Sequence, residues 1–300
     1  MQSADGAIAK PQLKVIAAVV NPASGGVRPG AEHDLRAMVA EHGYSLRVFA
    51  IEDQKVEAAV RNAISAAPDL LIVLAGDGTA RLAAELCGPK GPLVAPLPGG
   101  TLNMLPHALY GAAPWAAALQ ATLADGVERV VSGGRICGRT FYVAAVLGAP
   151  ALWGGAREAL RAGKLIRAKR AVDLAIRRAF VGGLRFGADG QTGQSGEALV
   201  LICPLVSKAM EQECALEMAA LDFHDAREMV RLAFNGVINA WRSDPSVSVE
   251  IVTRGWAHMH GSIPAILDGE TQRLPRRARF EFVPRAFRAL APPDMALASL

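Results

Sequence analysis

Short apolar runs alternate with amphipathic stretches along the first third of the chain. Four runs predict buried β-strands: residues 13–20, 45–51, 69–75 and 92–98. Between them, residues 31–42, 53–66 and 79–87 carry apolar side chains at helical spacing. This alternation predicts an α/β domain with a parallel sheet and helices on both of its faces. In such a domain, ligands bind beyond the carboxyl ends of the strands.

The pattern changes after residue 126, where strand-like stretches follow one another. They are residues 127–131, 140–147, 197–204, 214–221, 247–253, 263–267 and 278–283. Two segments with helical periodicity, 155–180 and 224–241, interrupt them. We therefore expect two domains, residues 1–126 and a predominantly β-sandwich domain with packed helices at 127–284. Residues 285–300 are a candidate to rejoin the first domain.

Composition places the chain among globular proteins. Of its 300 residues 51% are hydrophobic and 20% are charged, and its net charge of +4 is too small to indicate a nucleic-acid or membrane partner by itself. Its four cysteines are far apart and form no C-x-x-C pair, which argues against a zinc site and a disulfide framework. Neither a membrane-spanning run nor a signal-peptide pattern is present, so we expect a cytoplasmic protein.

Three glycine-containing loops follow the first, third and fourth predicted strands. They read NPASGG (21–26), AGDGT (75–79) and PGGTLN (98–103). Glycine lets backbone N–H groups face an anion, and a helix that begins at the loop adds a favourable dipole. Each loop alone is equally compatible with a plain turn. Together, at one edge of a sheet, they predict a crevice for nucleotide phosphates, with Asp77 facing the phosphate-bound metal or the reactive centre.

These loops resemble the signature loops of the diacylglycerol kinase catalytic-domain family, which includes bacterial lipid kinases, sphingosine kinases and ceramide kinase. ILDGET (266–271) is similar to the family's D-G-E motif, and the four motifs occur in the family's order over almost the whole chain. Two departures stand out. Ala75 replaces the first of two glycines before the loop aspartate, and Met104, Leu105 and Pro106 replace an acidic or polar residue followed by an aromatic one. The second departure changes the lining of the cleft, so the resemblance does not carry over the identity of the acceptor.

The resemblance implies an ATP- and Mg²⁺-dependent lipid kinase with catalysis in a cleft between an ATP-binding and a lipid-binding domain. The implied catalytic residues are Asp268, as general base on the lipid hydroxyl, and Asp77. The implied ATP-binding residues are Asn21, Ser24, Gly25, Gly76, Gly78, Thr79, Gly100, Thr101, Asn103 and Glu270. The metal ligands stay open. Asp-Gly is also the usual two-residue hairpin turn, so the D-G-E motif has a purely structural interpretation as well.

Two other functions are compatible with the same residues. NAD kinases share a G-D-G-T loop, although NPASGG and PGGTLN fit the lipid kinases better. The chain is alternatively a non-catalytic nucleotide or lipid sensor, since fold and family do not prove turnover. The sequence lacks a P-loop motif and a G-x-G-x-x-G after its first strand, which argues against P-loop and dinucleotide-binding enzymes.

A basic segment lies at residues 157–185, where nine Lys or Arg side chains accompany an apolar line at helical spacing. A basic amphipathic helix is suited to anionic lipid headgroups, which predicts peripheral membrane contact. A solvated helix face or a homodimer contact explains the same pattern. Aromatic residues make up only 5% of the chain, and Phe180 is the only one within the run of basic side chains, so we expect no nucleic-acid partner.

Overall fold

The computed structural model describes residues 11–51, 55–151, 183–207, 214–221 and 247–293. These residues form two compact units, which are described separately below. The first unit runs to Val131 and includes the chain again from Arg285, and the second is Ser132–Pro284.

The first unit is a parallel sheet that is covered by helices. Its strands in chain order are β1 (Ile16–Val20), β2 (Leu46–Ala50), β3 (Leu70–Ala75) and β4 (Leu93–Pro98). Its helices are α1 (Ala31–Glu41), α2 (Val56–Ser65), α3 (Asp77–Cys87), α4 (Met104–Tyr110) and α5 (Trp115–Asp125). The strand order is β2-β1-β3-β4, and each neighbouring pair is parallel.

Burial explains why these runs are strands between helices. Every residue of β1, β3 and β4 is buried, as expected for strands that are covered on both faces. Helices α2 and α3 contact each other, and their buried faces consist largely of alanine. Small side chains let a helix approach the sheet closely, which brings the helix N-termini near the strand ends.

The C-terminal part of the chain completes the first unit. The long strand β16 (Arg277–Ala291) ends there, and its Ala289 is paired in parallel with Val94 of β4. Arg288 donates to Glu128 and to the carbonyl of Gly91, and the Tyr110 hydroxyl donates to the carbonyl of Leu290. These bonds hold the end of the chain against the fourth strand.

The second unit is built from two antiparallel sheets. Its first sheet contains the remaining part of β16, β13 (Arg254–His258), β8 (Leu184–Ala188) and β9 (Gln194–Gly196) in that order. The later part of β5 (Val127–Ile136) and β6 (Arg139–Phe141) extend this sheet beside β16. The second sheet has the order β12 (Val247–Val252), β11 (Leu216–Leu221), β10 (Ala198–Ile202), β7 (Ala144–Gly148), β14 (Ile263–Leu267) and β15 (Glu270–Leu274).

A single core joins the two sheets of the second unit. Phe186 and Phe280 from the first sheet and Leu201, Met218 and Ile263 from the second belong to one buried cluster. Because alternate residues of a strand point to opposite faces, the residues between them face away from this core. The unit is therefore a β-sandwich.

The predicted fold class is confirmed: a parallel α/β unit is followed by an antiparallel β-sandwich. The sequence pattern missed the short helices α4 and α5 and the strands β8, β13 and β15. The predicted helical segments 155–180 and 224–241 lie outside the described residues. No helix among the residues that the structure describes is long and apolar enough to span a membrane.

Candidate active site

The three loops of the first unit meet beyond the carboxyl ends of β1, β3 and β4. The Gly26 N–H donates to the carbonyl of Gly99 (3.0 Å), which joins the first loop to the third. The Gly76 N–H donates to Oγ of Ser24 (3.1 Å), which joins the second loop to the first. The predicted convergence of these loops is therefore present in the structure.

Asp77 is the link between the second and third loops. It is the first residue of α3, and its two carboxylate oxygens accept the backbone N–H groups of Asn103 (2.9 Å) and Met104 (2.6 Å). Met104 begins α4, so this carboxylate caps a helix whose first N–H groups have no partner within the helix. The acid between two glycines thus fixes the start of α4 against the start of α3.

Asn103 closes the third loop on itself. Its side-chain oxygen accepts the Gly100 N–H (2.7 Å), and its side-chain nitrogen donates to the Gly100 carbonyl (3.3 Å). Its φ of 50° is in the left-handed region, which asparagine tolerates better than most residues. In the first loop, Asn21 plays a similar part, because its side-chain oxygen accepts the N–H of Ala23 (3.1 Å).

Two glycines of the third loop are required by close packing between backbones. A Cβ at Gly100 would lie 2.8 Å from Cα of Gly76, and one at Gly99 would lie 2.8 Å from the Ala75 nitrogen. Gly76 differs, because the nearest atoms to its Cβ would be Ser24 Oγ at 3.8 Å and Gly100 Cα at 3.9 Å. Position 76 therefore has room for a side chain in the space between the three loops.

The other predicted nucleotide-binding residues of the first unit fall in the same region. Gly25 lies beside Thr101, since a Cβ at Gly25 would be 3.6 Å from Thr101 Oγ1, and both residues are exposed. Gly78 and Thr79 lie in the first turn of α3, but Thr79 is buried with 7% of its surface exposed. Its N–H donates to the Gly76 carbonyl, so Thr79 stabilises the turn.

Asp268 and Glu270 belong to the second unit, where the D-G-E motif forms a β-hairpin. Asp268 and Gly269 have φ angles of 45° and 83° and join β14 to β15, as in the two-residue hairpin turns that favour Asp-Gly. Glu270 is the half-buried first residue of β15. The structural interpretation of this motif therefore holds, whatever further part it plays.

The Asp268 carboxylate is buried and binds backbone donors. One oxygen accepts the Tyr142 N–H (2.7 Å), and the other accepts those of Val143 (2.9 Å) and Ala144 (3.0 Å). Only 1% of the residue surface is exposed. Burial and then the negative charge of Asp268 raise the pKa of the neighbouring Cys203 thiol. Asp268 thus anchors the segment that connects β6 to β7.

The sequence interpretation missed Gly26 and Gly99 as site residues. A Cβ at Gly26 would lie 2.9 Å from the Gly100 carbonyl oxygen, so this position too needs glycine. The sequence signal for these two residues was a Gly-Gly pair, at positions 25–26 in the first loop and 99–100 in the third.

Two surface grooves lie elsewhere on the first unit, along the edge strand β2. Each has a volume of roughly 350–360 Å³, and Arg47 lines both. Neither groove is lined by a residue of the three loops. We place the candidate site at the loops because helix N-termini and glycine backbones converge there.

The first unit matches a known protein family. A family model described as the diacylglycerol kinase catalytic domain matches residues 15–135. This part of the chain is similar to diacylglycerol kinase catalytic domains. This match confirms the resemblance that the loops predicted, and it supports membership of a lipid kinase family.

Solved structures of low sequence identity share the fold of the whole chain. A crystal structure of a diacylglycerol kinase from Bacillus anthracis str. Sterne has a TM-score of 0.68 and 14% identity, and the match covers 95% of this chain and 99% of that one. A second structure from the same organism, provisionally named a diacylglycerol kinase, has a TM-score of 0.70, 16% identity and the same coverage. No curated protein matches the sequence.

Proposed function

We propose that the protein is an ATP-dependent lipid kinase, which transfers the γ-phosphoryl group of ATP to the hydroxyl of a lipid alcohol such as diacylglycerol. One observation carries this proposal: three loops of a diacylglycerol kinase catalytic domain converge at the carboxyl ends of β1, β3 and β4. Backbone N–H groups and the N-terminus of α3 suit the phosphates of a nucleotide there.

Mg²⁺ enters this proposal together with the nucleotide. The described residues contain no group of three or more His, Cys, Asp or Glu side chains that could hold a metal ion by themselves. Mg²⁺ commonly binds proteins through one or two carboxylates together with substrate phosphates. We therefore treat MgATP as the substrate, with Asp77 as the candidate carboxylate at the loops of the first unit.

The residues of the chain serve this reaction by binding and positioning. Phosphoryl transfer depends mainly on holding the phosphates in line with the acceptor and on balancing their charge. Asp77 and Asn103 keep the loops at the spacing that the phosphates need, and Ser24 orients the second loop through Gly76. Asp268 remains the proposed general base. The hairpin turn between β14 and β15 and three backbone N–H groups fix the position of its carboxylate.

Gly76→Val tests the phosphate-binding part of the proposal. The side chain has room within the protein but fills the space between the loops, so we expect ATP affinity measured by calorimetry to fall at least about tenfold, on the scale of one lost charge-assisted contact. Gly183→Val is the matched control, because no atom lies within 4 Å of the position its Cβ would occupy. Equal ATP affinity in both variants would contradict phosphate binding at the loops.

The acceptor is tested with γ-labelled ATP, Mg²⁺ and a panel of lipid alcohols in mixed micelles, with NAD and water as further acceptors. We expect label in one lipid. Label in NAD would instead assign the protein to the NAD kinases. Tight ATP binding with no label in any acceptor would favour a nucleotide or lipid sensor.

A further inference from the structure

The first sheet of the second unit has a basic outer face. On β8, β13 and β16, the residues that alternate with the core positions Phe186, Ala257 and Phe280 point away from the core. We call the outward residues the basic face. They are Arg135, Arg185, Arg254, His258, Arg277 and Arg279, with Trp256 among them.

Basic side chains lie directly opposite each other on this face. His258 of β13 is paired with Arg185 of β8 on one side and with Arg277 of β16 on the other. Burial and then the charges of Arg276, Arg277 and Arg185, together with His260, hold the pKa of His258 below its usual value. A lowered pKa favours the neutral imidazole, so His258 separates the charges of the two arginines beside it.

Among the described residues, two acidic side chains lie at this face. Glu281 faces outward, lies directly opposite Arg254 and pairs with Arg135 at 3.3 Å, and Asp189 lies at the end of β8. The arginines at positions 185, 254, 277 and 279 are exposed. An arginine guanidinium is suited to phosphate because it donates two parallel hydrogen bonds.

Trp256 adds an amphipathic ring to the face. It lies over the backbone of β8 and the loop that follows: its ring is 3.6 Å from the position of a Cβ at Gly187 and would clash with a Cβ at Gly193. The residue is half-exposed and is paired with Arg279. Tryptophan beside arginine is the combination that favours the headgroup layer of a bilayer.

We propose that the basic face binds the anionic headgroups of a lipid bilayer. Headgroup phosphates would accept hydrogen bonds from Arg185 and Arg277, and the sheet would present several guanidinium groups to the surface at once. The choice of lipid over nucleic acid rests on the proposed lipid kinase function. Residues 157–182 of the predicted basic segment lie outside the described residues, whereas Arg185, its last basic residue, lies in strand β8 and not in a helix.

The test is vesicle flotation of the full chain with phosphatidylcholine vesicles, with and without phosphatidylglycerol. The face variant is Arg185→Gln/Arg277→Gln/Arg279→Gln. The matched control is Arg47→Gln/Lys55→Gln/Arg61→Gln, which removes the same charge from exposed positions of the first unit. We expect affinity for anionic vesicles to fall on the order of 100-fold in the face variant, since each basic side chain contributes about fivefold near an anionic surface. The control should retain nearly all of its affinity.

Thermal stability and DNA binding distinguish lipid binding from an effect on folding and from nucleic-acid binding. The thermal midpoint of the face variant should stay close to that of the wild type, because the three arginines are exposed and substitutions at exposed positions change stability little. Unchanged vesicle binding in the face variant, or equal losses in face and control variants, would overturn the proposal. Binding to duplex DNA without vesicle binding would also overturn it. Phosphorylation of a dissolved short-chain diacylglycerol tests the kinase function separately, so either idea can fail while the other stands.

Discussion

Replacing Asp268 by Asn tests how far a buried carboxylate supports both the fold and the reaction. The wild-type side chain accepts three backbone N–H groups, from Tyr142, Val143 and Ala144. Asparagine has the same shape but only one acceptor oxygen, and its NH₂ group would face a backbone donor. At least one N–H group in this buried turn would therefore lose its partner.

The cost follows from the number and kind of these bonds. A hydrogen bond to a charged group contributes about 1.5–3 kcal/mol, and a buried donor without a partner costs about 1–3 kcal/mol. Losing one or two such bonds gives an expected loss of about 2–5 kcal/mol in the free energy of unfolding of the second unit. The corresponding fall in thermal midpoint is about 4–20 °C for a unit of this size.

Unfolding by urea and calorimetry measures this change, and activity is measured below the midpoint of the variant. If Asp268 is also the general base, kcat falls about 100-fold or more in folded protein while ATP affinity is kept. Asp189→Asn is the control, since it replaces an exposed aspartate of the same unit. An Asp268→Asn variant as stable as the wild type would refute the anchoring role. A wild-type kcat in the folded variant would show that Asp268 is not the general base.

Two other predictions concern Asp69 and the cysteines. Hydrogen bonds from the N–H groups of Val15 and Lys14 hold the pKa of Asp69 below its usual value of 3.8. The Asp69→Ala variant should therefore be less stable than the wild type at neutral pH, and this difference should disappear as the pH falls below about 4. Acid titration of the thermal midpoints checks this, and a difference that persists at the lowest pH would contradict it. Burial raises the pKa of Cys87 to about 12 and that of Cys203 well above its usual value, whereas Cys137 and Cys214 are exposed. A thiol reagent should thus label two cysteines quickly and the other two only after unfolding, and Cys137→Ser should remove one fast equivalent.

Strands β1, β3 and β4 were predictable because each is buried on both faces. Runs such as Leu70–Ala75 and Leu93–Pro98 contain no charged residue, and glycine-rich turns follow them. The second unit was harder to predict. Arg254–His258 and Glu270–Leu274 are only five residues long and carry no continuous apolar run, and they become strands because their neighbours pair with them. The charges of the basic face come from strands far apart in the chain, so no local window of sequence contains them.

The loops of the site were predictable as a set, but the hydrogen bonds of the aspartates Asp77 and Asp268 were not. The sequence predicted that Asp77 faces the phosphate-bound metal or the reactive centre, but it did not predict that both carboxylate oxygens accept N–H groups at the start of α4. The same kind of bond occurs at Asp268, where a hairpin turn and a strand connection meet at one carboxylate. Hydrogen bonds from backbone N–H groups to a side chain are hard to predict from a single sequence, because residues of almost any type can supply the N–H group.

Asp77 and Asp268 therefore share a physical role that accounts for aspartate at both positions. Each uses a short, charged side chain to hold backbone N–H groups that a turn or a helix start leaves without partners. A longer Glu would displace the bound segment, and Asn would lose an acceptor. At the three loops, this arrangement packs glycine backbones closely around position 76, where a Cβ would contact only Ser24 Oγ at 3.8 Å and Gly100 Cα at 3.9 Å. The G-D-G-T motif thus encodes the shape of the loops first, and that shape is what a nucleotide's phosphates would bind.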